Sequence, residues 1–249
     1  MAYGGNTMCV EVRSASGAVV VLDAGTGVRE LGKALAAERV REVDLLLTHL
    51  HLDHIEGLGF LAPLFDAECR VRIHGPHQEG ATLAERIVAY LSPPYFPLPF
   101  AQFGAAIEFV ELGAETFRVG GIEVAAAFVR HPGPTLGYRL TENGRSLAFI
   151  PDNEPGLDPE SGLVLARGAD VLLHDAPYTD EEYAERVGWG HTAVAHLVRS
   201  LAEAAPGRAV LVHHDPDHDA AALERLRDDA AGRAGRELEL GFEGLELTL

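Results

Sequence analysis

The chain has 249 residues, of which 47% are hydrophobic and 23% charged, as in an ordinary globular protein that buries a full core. Its formal net charge of −18 disfavours a nucleic-acid groove unless arginines cluster locally. No stretch reaches transmembrane length, and residues 1–20 lack the pattern of a signal peptide. Cys9 and Cys69 are its cysteines; one disulfide is arithmetically possible, but a reduced protein is the simpler interpretation. We therefore expect a single cytoplasmic domain over residues 1–249, without a membrane partner.

Apolar runs and glycine-rich turns predict the elements of the first part of the chain. In order they are strands 8–13 and 18–23 around a hairpin turn, helix 28–37, strand 43–47, a helix after Asp53, a strand near 70–74 and a helix over about 80–91. Residues 92–100 contain four prolines, which preclude a helix or a central strand and predict a stiff, extended segment. Its aromatic side chains either pin the segment to the core, which we prefer slightly, or form a lid over a cleft.

The second part of the chain begins with strands and then alternates strands with helices. In order they are strands 107–111, 116–119, 121–130, 135–141, 146–150 and 170–174, helices near 179–187 and 192–204, strand 209–212, helix 218–232 and a short β tail. Local strand pairing followed by alternation with helices, seen twice, fits two mixed sheets packed face to face with helices outside. The predicted fold is therefore an α+β, four-layer αββα sandwich.

The densest cluster of reactive side chains follows the buried strand 43–47. His49, His51, Asp53 and His54 lie within six positions, on a connection from a strand to a helix. His49 and His51 are two apart in extended chain and project to the same side, whereas Asp53 can also cap the following helix. A surface loop that happens to be rich in histidine is the alternative. The spacing favours a loop that feeds two adjacent metal ions.

Other predicted strands end in histidine or aspartate, as a cleft at one edge of a sheet would require. These strand-end residues are His131, Asp152, Asp175 and His213. Zinc-type sites use imidazole and carboxylate ligands. We therefore assign one ion to His49, His51 and His131 and the other ion to Asp53, His54 and His213. Asp152 is assigned as the carboxylate that bridges the two ions. Zinc is the first choice of metal for both ions, and manganese and iron are the alternatives. His131 and Asp152 could instead belong to turns, and His214 competes with His213.

The candidate catalytic residues are His191, Asp53 and Asp175. His191 lies in Gly188-Trp189-Gly190-His191-Thr192, where the predicted helix 192–204 begins. It could cap or pack, or it could be the general acid that protonates a leaving oxygen. Asp175 could orient His191 or keep it charged. Four other histidines have no comparable context and are expected to be structural or exposed: His74, His77, His196 and His218.

Several motifs together resemble the metallo-β-lactamase superfamily, and within it the phosphodiesterase branch of ribonuclease Z and phosphoribosyl cyclic phosphate phosphodiesterase. They are Tyr3-Gly4-Gly5-Asn6-Thr7, Leu22-Asp23-Ala24-Gly25-Thr26-Gly27, the His-x-His-x-Asp-His loop, Gly137-Tyr138-Arg139 and Gly190-His191-Thr192. The resemblance covers nearly the whole chain and implies the αββα sandwich, a dinuclear site bridged by Asp152, and His191 as proton donor. It also favours His213 over His214. For Asp23, which could otherwise cap helix 28–37, it implies a place beneath the site, where it steadies the loops.

The chain departs from this branch in two respects. Members usually begin with one more strand, so the first sheet lacks an edge strand or the true start lies upstream. The long glycine- and basic-rich arm with which ribonuclease Z grips transfer RNA has no counterpart, and Lys33 is the only lysine. Long nucleic acid is therefore not the expected substrate.

These observations predict a metal-dependent hydrolase of a small, plausibly cyclic phosphodiester, which acts through a hydroxide that bridges two divalent ions. The alternatives are a hydrolase of a lactam, lactone or thioester, a ribonuclease Z-like nuclease, and a catalytically silent metal-binding module. Asp152 argues against a true lactamase, which usually carries cysteine at the bridging position. The sequence leaves both a monomer and a homodimer open.

Overall fold

The computed structural model describes residues 2–249. Its strands form two mixed sheets, one of five strands and one of seven. The chain divides into two compact units. The amino-terminal unit comprises Asn6–Gly113 and Arg118–Ile122, and the carboxy-terminal unit comprises the other described residues.

The five-stranded sheet belongs to the amino-terminal unit and follows chain order. Its strands are β1 (Val10–Arg13), β2 (Val19–Leu22), β3 (Glu42–Leu46), β4 (Arg70–Pro76) and β5 (Ala106–Leu112). The antiparallel pairing of β1 with β2 confirms the predicted hairpin, and the later pairs are parallel. The helices of this unit are α1 (Val28–Ala37), α2 (Leu52–Ile55) and α3 (Leu83–Tyr90). Every residue of β2 is buried, as its continuous apolar run predicts.

The predicted helix after Asp53 is wrong in its extent. Helix α2 ends at Ile55, and the chain continues in two short 3₁₀ turns, Leu58–Phe60 and Ala62–Phe65. Glycine and proline interrupt the helix here, and a side chain on Gly57 would collide with the backbone carbonyl of Gly25. The apolar residues therefore do not share one helical face, and the Phe60 side chain is exposed.

The seven-stranded sheet has the order β12-β11-β10-β9-β8-β7-β6. Its strands are β6 (Glu115–Val119), β7 (Ile122–Phe128), β8 (Leu136–Glu142), β9 (Arg145–Ile150), β10 (Val171–Asp175), β11 (Arg208–Val212) and β12 (Glu239–Leu240). The helices of the carboxy-terminal unit are α4 (Leu163–Ala166), α5 (Asp180–Ala184), α6 (Val194–Ala204) and α7 (Ala220–Ala234). Strands β7 to β9 pair antiparallel, and β9 to β12 pair parallel. Only the single-turn helix α4 was not predicted.

Parallel pairing brings the carboxyl ends of neighbouring strands to one edge of each sheet. In the first sheet Leu22 of β2 pairs with Leu46 of β3, so the residues that follow these strands are neighbours. In the second sheet His174 of β10 pairs with Ile150 of β9, and Asp175 pairs with Val212 of β11. Each sheet therefore presents its candidate functional residues at one edge.

The proline-rich segment 92–100 is held to the amino-terminal unit by aromatic contacts. Phe96 and Phe100 pack against the core, and the ring centroid of Phe103 lies 5.8 Å from that of Phe96 and 5.1 Å from that of Phe100. Tyr95, in contrast, is 77% exposed. These contacts favour the interpretation that the segment is pinned to the core.

A buried ion-pair network in the first sheet predicts an acid-sensitive stability. Asp44 accepts two hydrogen bonds of 2.6 Å from Arg72 and one of 2.9 Å from His74. Burial opposes the charge of Asp44, but these partners prevail, and its pKa lies below the usual range. A lowered carboxyl pKa stabilises the fold above the unfolded-state pKa, and this stabilisation is lost as the pH falls through the folded-state pKa.

We therefore expect Asp44→Asn to lower the free energy of unfolding at neutral pH by about 1.5–3 kcal/mol. The difference between variant and parent should shrink as the pH falls below about 4. Urea unfolding across this range measures both effects. Asp66→Asn is the control, because Asp66 also pairs with an arginine but is 45% exposed, and such pairs contribute little. An equal loss at every pH would contradict the ionic origin of the effect.

Two further findings concern the cysteines and the helices. Cys9 and Cys69 are both free cysteines. Within residues 2–249 no helix combines the length and the apolar character needed to cross a membrane. Location in the cytoplasm and a single domain over residues 1–249 stay predictions.

Candidate active site

The ligand loop of the amino-terminal unit, residues 48–54, starts two residues after the end of β3. The ring centroid of His49 lies 4.5 Å from that of His51 and 4.2 Å from that of His54. Asp53 lies in the first turn of α2, and its Oδ2 is 3.3 Å from Nε2 of His54. Asp53 does not cap α2, whose N-cap is His51 without a side-chain hydrogen bond. The structure therefore brings the predicted ligands of this loop together.

Asp23 lies beneath this loop and is fully buried. Its carboxylate accepts hydrogen bonds from Thr48 N at 2.7 Å, from Thr48 Oγ1 at 2.9 Å and from His54 Nδ1 at 2.8 Å. Burial raises the pKa of the Asp23 carboxyl, although His54 and Thr48 act in the opposite direction. Helix α1 has Gly27 as its N-cap and receives no side-chain cap. Asp23 thus steadies the ligand loop, as the resemblance implies, and does not cap the helix.

The hydrogen bonds around Thr48 fix the orientation of two imidazoles. The Thr48 hydroxyl donates its one proton to Asp23, so it accepts from His49 Nδ1, which is 3.0 Å away. His54 Nδ1 donates to Asp23. Nδ1 therefore carries the proton in both rings, and Nε2 keeps the lone pair that a metal ligand needs. This donor chemistry fits a divalent ion.

In the carboxy-terminal unit, three imidazoles face the buried carboxylate of Asp152. His131 Nε2 is 3.7 Å and His191 Nδ1 is 4.0 Å from Oδ2, whereas His213 Nε2 is 3.5 Å from Oδ1. His131 Nδ1 donates to the carbonyl of Gly190 at 2.9 Å, which again leaves Nε2 as the ligand atom. The ligand atoms of His131, Asp152 and His191 lie within 4.8 Å of one another and could hold a metal ion. The two oxygens of Asp152 face different imidazoles, which is the arrangement that a bridging carboxylate needs.

The structure separates the roles of His213 and His214. His213 has a left-handed backbone conformation, with φ +55°, and its ring stacks on that of His191 with centroids 5.1 Å apart. His214 Nε2 instead donates to the carbonyl of Gly241 at 3.0 Å. Burial lowers the pKa of His214. The geometry therefore supports His213, which directly follows β11, as the candidate ligand.

Asp175 faces His191 from the end of β10. Its Oδ2 is 3.4 Å from His191 Nδ1, and its carboxylate accepts two hydrogen bonds of 2.9 Å from Thr192 N and Oγ1. Burial opposes the charge of Asp175, but His174 and His191 prevail, and its pKa is lowered. Asp175 therefore lies close enough to His191 to orient it. The expectation that His191 opens a helix is wrong, because Thr192 is held by Asp175 and α6 begins only at Val194.

Glu154 is a functional candidate that sequence reasoning missed. Its buried carboxylate accepts hydrogen bonds from Gly188 N at 2.7 Å, Gly190 N at 2.9 Å and the Tyr183 hydroxyl at 2.8 Å. Gly190 in turn accepts from His131, and a Cβ on Gly190 would collide with that ring. Glu154 therefore fixes the turn that precedes His191 and supports His131. The one available signal was its position two residues after Asp152.

The histidines expected to be structural have structural partners. His74 pairs with Asp44 at 2.9 Å, His77 with Glu111 at 2.8 Å and His218 with Glu182 at 2.8 Å. His196 packs edge-on against Tyr183. None of these contacts involves a candidate ligand.

Comparison with known proteins identifies the family. The β-lactamase superfamily domain matches residues 19–214 of this chain. The chain belongs to the β-lactamase superfamily. A curated relative in Mycobacterium avium (strain 104), named ribonuclease Z, is 27% identical over 247 residues, which cover 91% of this chain and 86% of the relative.

Two solved structures share the fold. The metallo-β-lactamase fold protein YhfI from Bacillus subtilis has a TM-score of 0.73 and 18% identity, and the match covers 98% of this chain and 95% of that one. A diphosphatase from the PhnP family has a TM-score of 0.66 and 18% identity, over 97% of this chain and 83% of that one. The predicted metallo-β-lactamase-like class of two mixed sheets flanked by helices is confirmed. Membership of the superfamily and its curated relatives also confirm the prediction of a metal-dependent hydrolase.

Proposed function

We propose that the chain is a dinuclear metal-dependent phosphodiesterase that acts on small phosphodiesters, including cyclic ones. The class of phosphoric diester hydrolase is that of the ribonuclease Z relatives. The observation that carries the dinuclear proposal is the buried Asp152 carboxylate, whose two oxygens face different imidazoles. The proposed metal ligands are His49, His51, Asp53, His54, His131, Asp152 and His213, with zinc as the first candidate metal.

The residues of this chain have distinct tasks in the proposed reaction. When bound, divalent ions lower the pKa of water and neutralise charge on a phosphate. Asp23 and Thr48 hold His54 and His49 in the tautomer that exposes Nε2. Asp175, whose Oδ2 lies 3.4 Å from His191 Nδ1, orients His191 in the proposed reaction. His191 protonates the departing alkoxide, which is too basic to leave without a proton.

The first prediction from this proposal concerns metal content. After reconstitution with zinc, elemental analysis should return two ions per chain, because the proposed ligands exceed what one four-coordinate ion uses. His77→Ala is the control, since His77 pairs with Glu111 on the surface and should not change the metal content. One ion or none in the parent protein would contradict the dinuclear proposal.

A ribonuclease Z-like activity is the second candidate function, because the ribonuclease Z relative aligns with 91% of this chain. The charge of the chain argues against it. Binding a long polyanion requires basic residues that displace its counterions, whereas this chain has a net charge of −18. Lys33 is its single lysine. A small phosphodiester needs far fewer such contacts.

We therefore expect a small cyclic phosphodiester to be hydrolysed faster than precursor transfer RNA at physiological salt. The two substrates are compared with the same zinc-loaded preparation, with and without a chelator as control for metal dependence. A panel of chromogenic lactams, lactones and thioesters extends the comparison to the other hydrolases of this fold. Faster and specific processing of the transfer RNA would favour the nuclease function.

A further inference from the structure

Trp189 combines a fixed backbone with an exposed side chain. The amides on either side of it, Gly188 N and Gly190 N, both donate to the buried carboxylate of Glu154. Its own amide donates to the carbonyl of Arg186 at 3.0 Å. The Trp189 side chain is nevertheless 59% exposed. Because the turn is rigid, the exposed indole has already lost much of the conformational freedom that a ligand contact would remove. Binding of a ligand to the indole therefore costs less conformational entropy.

Arg186 places a positive charge between two aromatic rings beside this turn. Its guanidinium carbon lies 5.8 Å from the ring centroid of Trp189 and 5.1 Å from that of Tyr178, within the range of cation–π contacts. Its guanidinium donates a hydrogen bond of 3.0 Å to the backbone carbonyl of Glu182. Among residues 2–249 Arg186 forms no ion pair with a carboxylate.

These side chains form a continuous row that ends at the candidate proton donor. Tyr178 is buried, and its ring centroid lies 5.9 Å from that of His191, in an edge-to-face arrangement. The order of the row is therefore Trp189, Arg186, Tyr178 and His191. Since His191 protonates the leaving oxygen in the proposed reaction, the row lies on the side of the leaving group.

We infer that Trp189 and Arg186 form a subsite for a planar aromatic group of the nucleobase class on the leaving side of the substrate. The inference rests on the proposed phosphodiesterase function and narrows its substrate. An exposed indole offers a π-face on which any base can stack, and a guanidinium beside it favours an electron-rich ring attached to an anionic phosphate. A purely aliphatic phosphodiester would use neither group.

Intrinsic fluorescence tests the subsite without turnover, because Trp189 is the only tryptophan of the chain. The full chain is titrated with adenosine 5′-monophosphate and, as the matched ligand without a base, with ribose 5-phosphate. We expect saturable quenching by the nucleotide and little by the sugar phosphate. Val187→Ala should be quenched like the parent, since Val187 is exposed on the same turn but lies outside the row.

Kinetics provide the second measurement. Stacking of one base on an aromatic side chain is worth about 5- to 100-fold in affinity. Trp189→Leu should therefore lower kcat/KM for adenosine 2′,3′-cyclic phosphate, relative to glycerol 1,2-cyclic phosphate, by about that factor. Trp189→Phe should restore part of the preference, because phenylalanine keeps an aromatic face.

The outcomes separate the subsite from the proposed function. Equal effects of the nucleotide and the sugar phosphate, together with hydrolysis of phosphodiesters, would overturn the subsite alone. Selective quenching by the nucleotide without hydrolysis of any phosphodiester would support the subsite and overturn the function. Emission that changes with protein concentration, and not with the nucleotide, would mean that a second copy of the chain covers Trp189, and this would also overturn the subsite.

Discussion

A His191→Ala variant should keep the metal content of the parent and lose about 10²–10⁴-fold in the turnover of an alkyl phosphodiester. The reason is the basicity of the leaving group, because an alkoxide must take up a proton as it departs. A nitrophenolate is far less basic and needs that proton much less. The nitrophenyl analogue should therefore lose much less activity than the alkyl ester.

Metal analysis and both substrates are measured on the same preparation of this variant. The geometry makes metal analysis essential, because His191 lies close enough to His131 and Asp152 to share an ion with them. Loss of an ion would show that His191 is a ligand. Retained metal with equal losses on the two substrates would show that His191 positions the substrate and does not donate the proton. Thr192→Val removes a hydroxyl that lies 2.9 Å from Asp175 Oδ1 and 2.7 Å from the carbonyl of Asn153, which compete for its one proton, and so tests the surroundings of Asp175 without changing His191 itself.

Asp23→Asn should weaken metal binding by about 10- to 100-fold, the usual effect of losing a group that orients a ligand. The amide is a suitable replacement because Asp23 has φ +58° and asparagine tolerates this conformation well. It leaves the backbone in place but cannot accept from both Thr48 and His54. The His54 ring is then no longer fixed in the tautomer that exposes Nε2.

Competition with a zinc chelator measures this change in affinity. Asp44→Asn is the matched control, since Asp44 is a buried aspartate of the same sheet that pairs with Arg72 and His74. It should alter the free energy of unfolding but not the affinity for zinc. Unchanged zinc affinity in Asp23→Asn would mean that the ligand loop holds its shape without Asp23.

The strands and the places where they end could be predicted from the sequence because both follow from local patterns. A continuous apolar run such as β2 has to be buried on both faces, and a glycine or a polar residue marks its end. The candidate ligands were found for the same reason, since each follows the end of such a run. Parallel pairing then brings these ligands to one edge of each sheet, and this placement could also be predicted from the sequence.

The sequence could not show which contacts hold these residues, because they depend on partners far apart in the chain. Glu154 acts on amides more than thirty positions away, at Gly188 and Gly190. The choice of His213 over His214 depends on the carbonyl of Gly241, which occupies His214. The helix after Asp53 was overestimated since apolar residues in two 3₁₀ turns can have the spacing of a helical face.

Two of the residues at these edges have a backbone that ordinary side chains avoid. Asp23 and His213 each directly follow a strand, and their φ values are +58° and +55°. This left-handed conformation costs roughly 1–2 kcal/mol for a residue other than glycine. Glycine at His213 would relieve that strain while removing the proposed ligand, whereas glycine at Asp23 would also leave Thr48 and His54 without their buried hydrogen-bond acceptor. Selection for heat resistance alone would therefore favour glycine at His213 but not at Asp23, so any programme of thermostabilisation has to hold His213 constant.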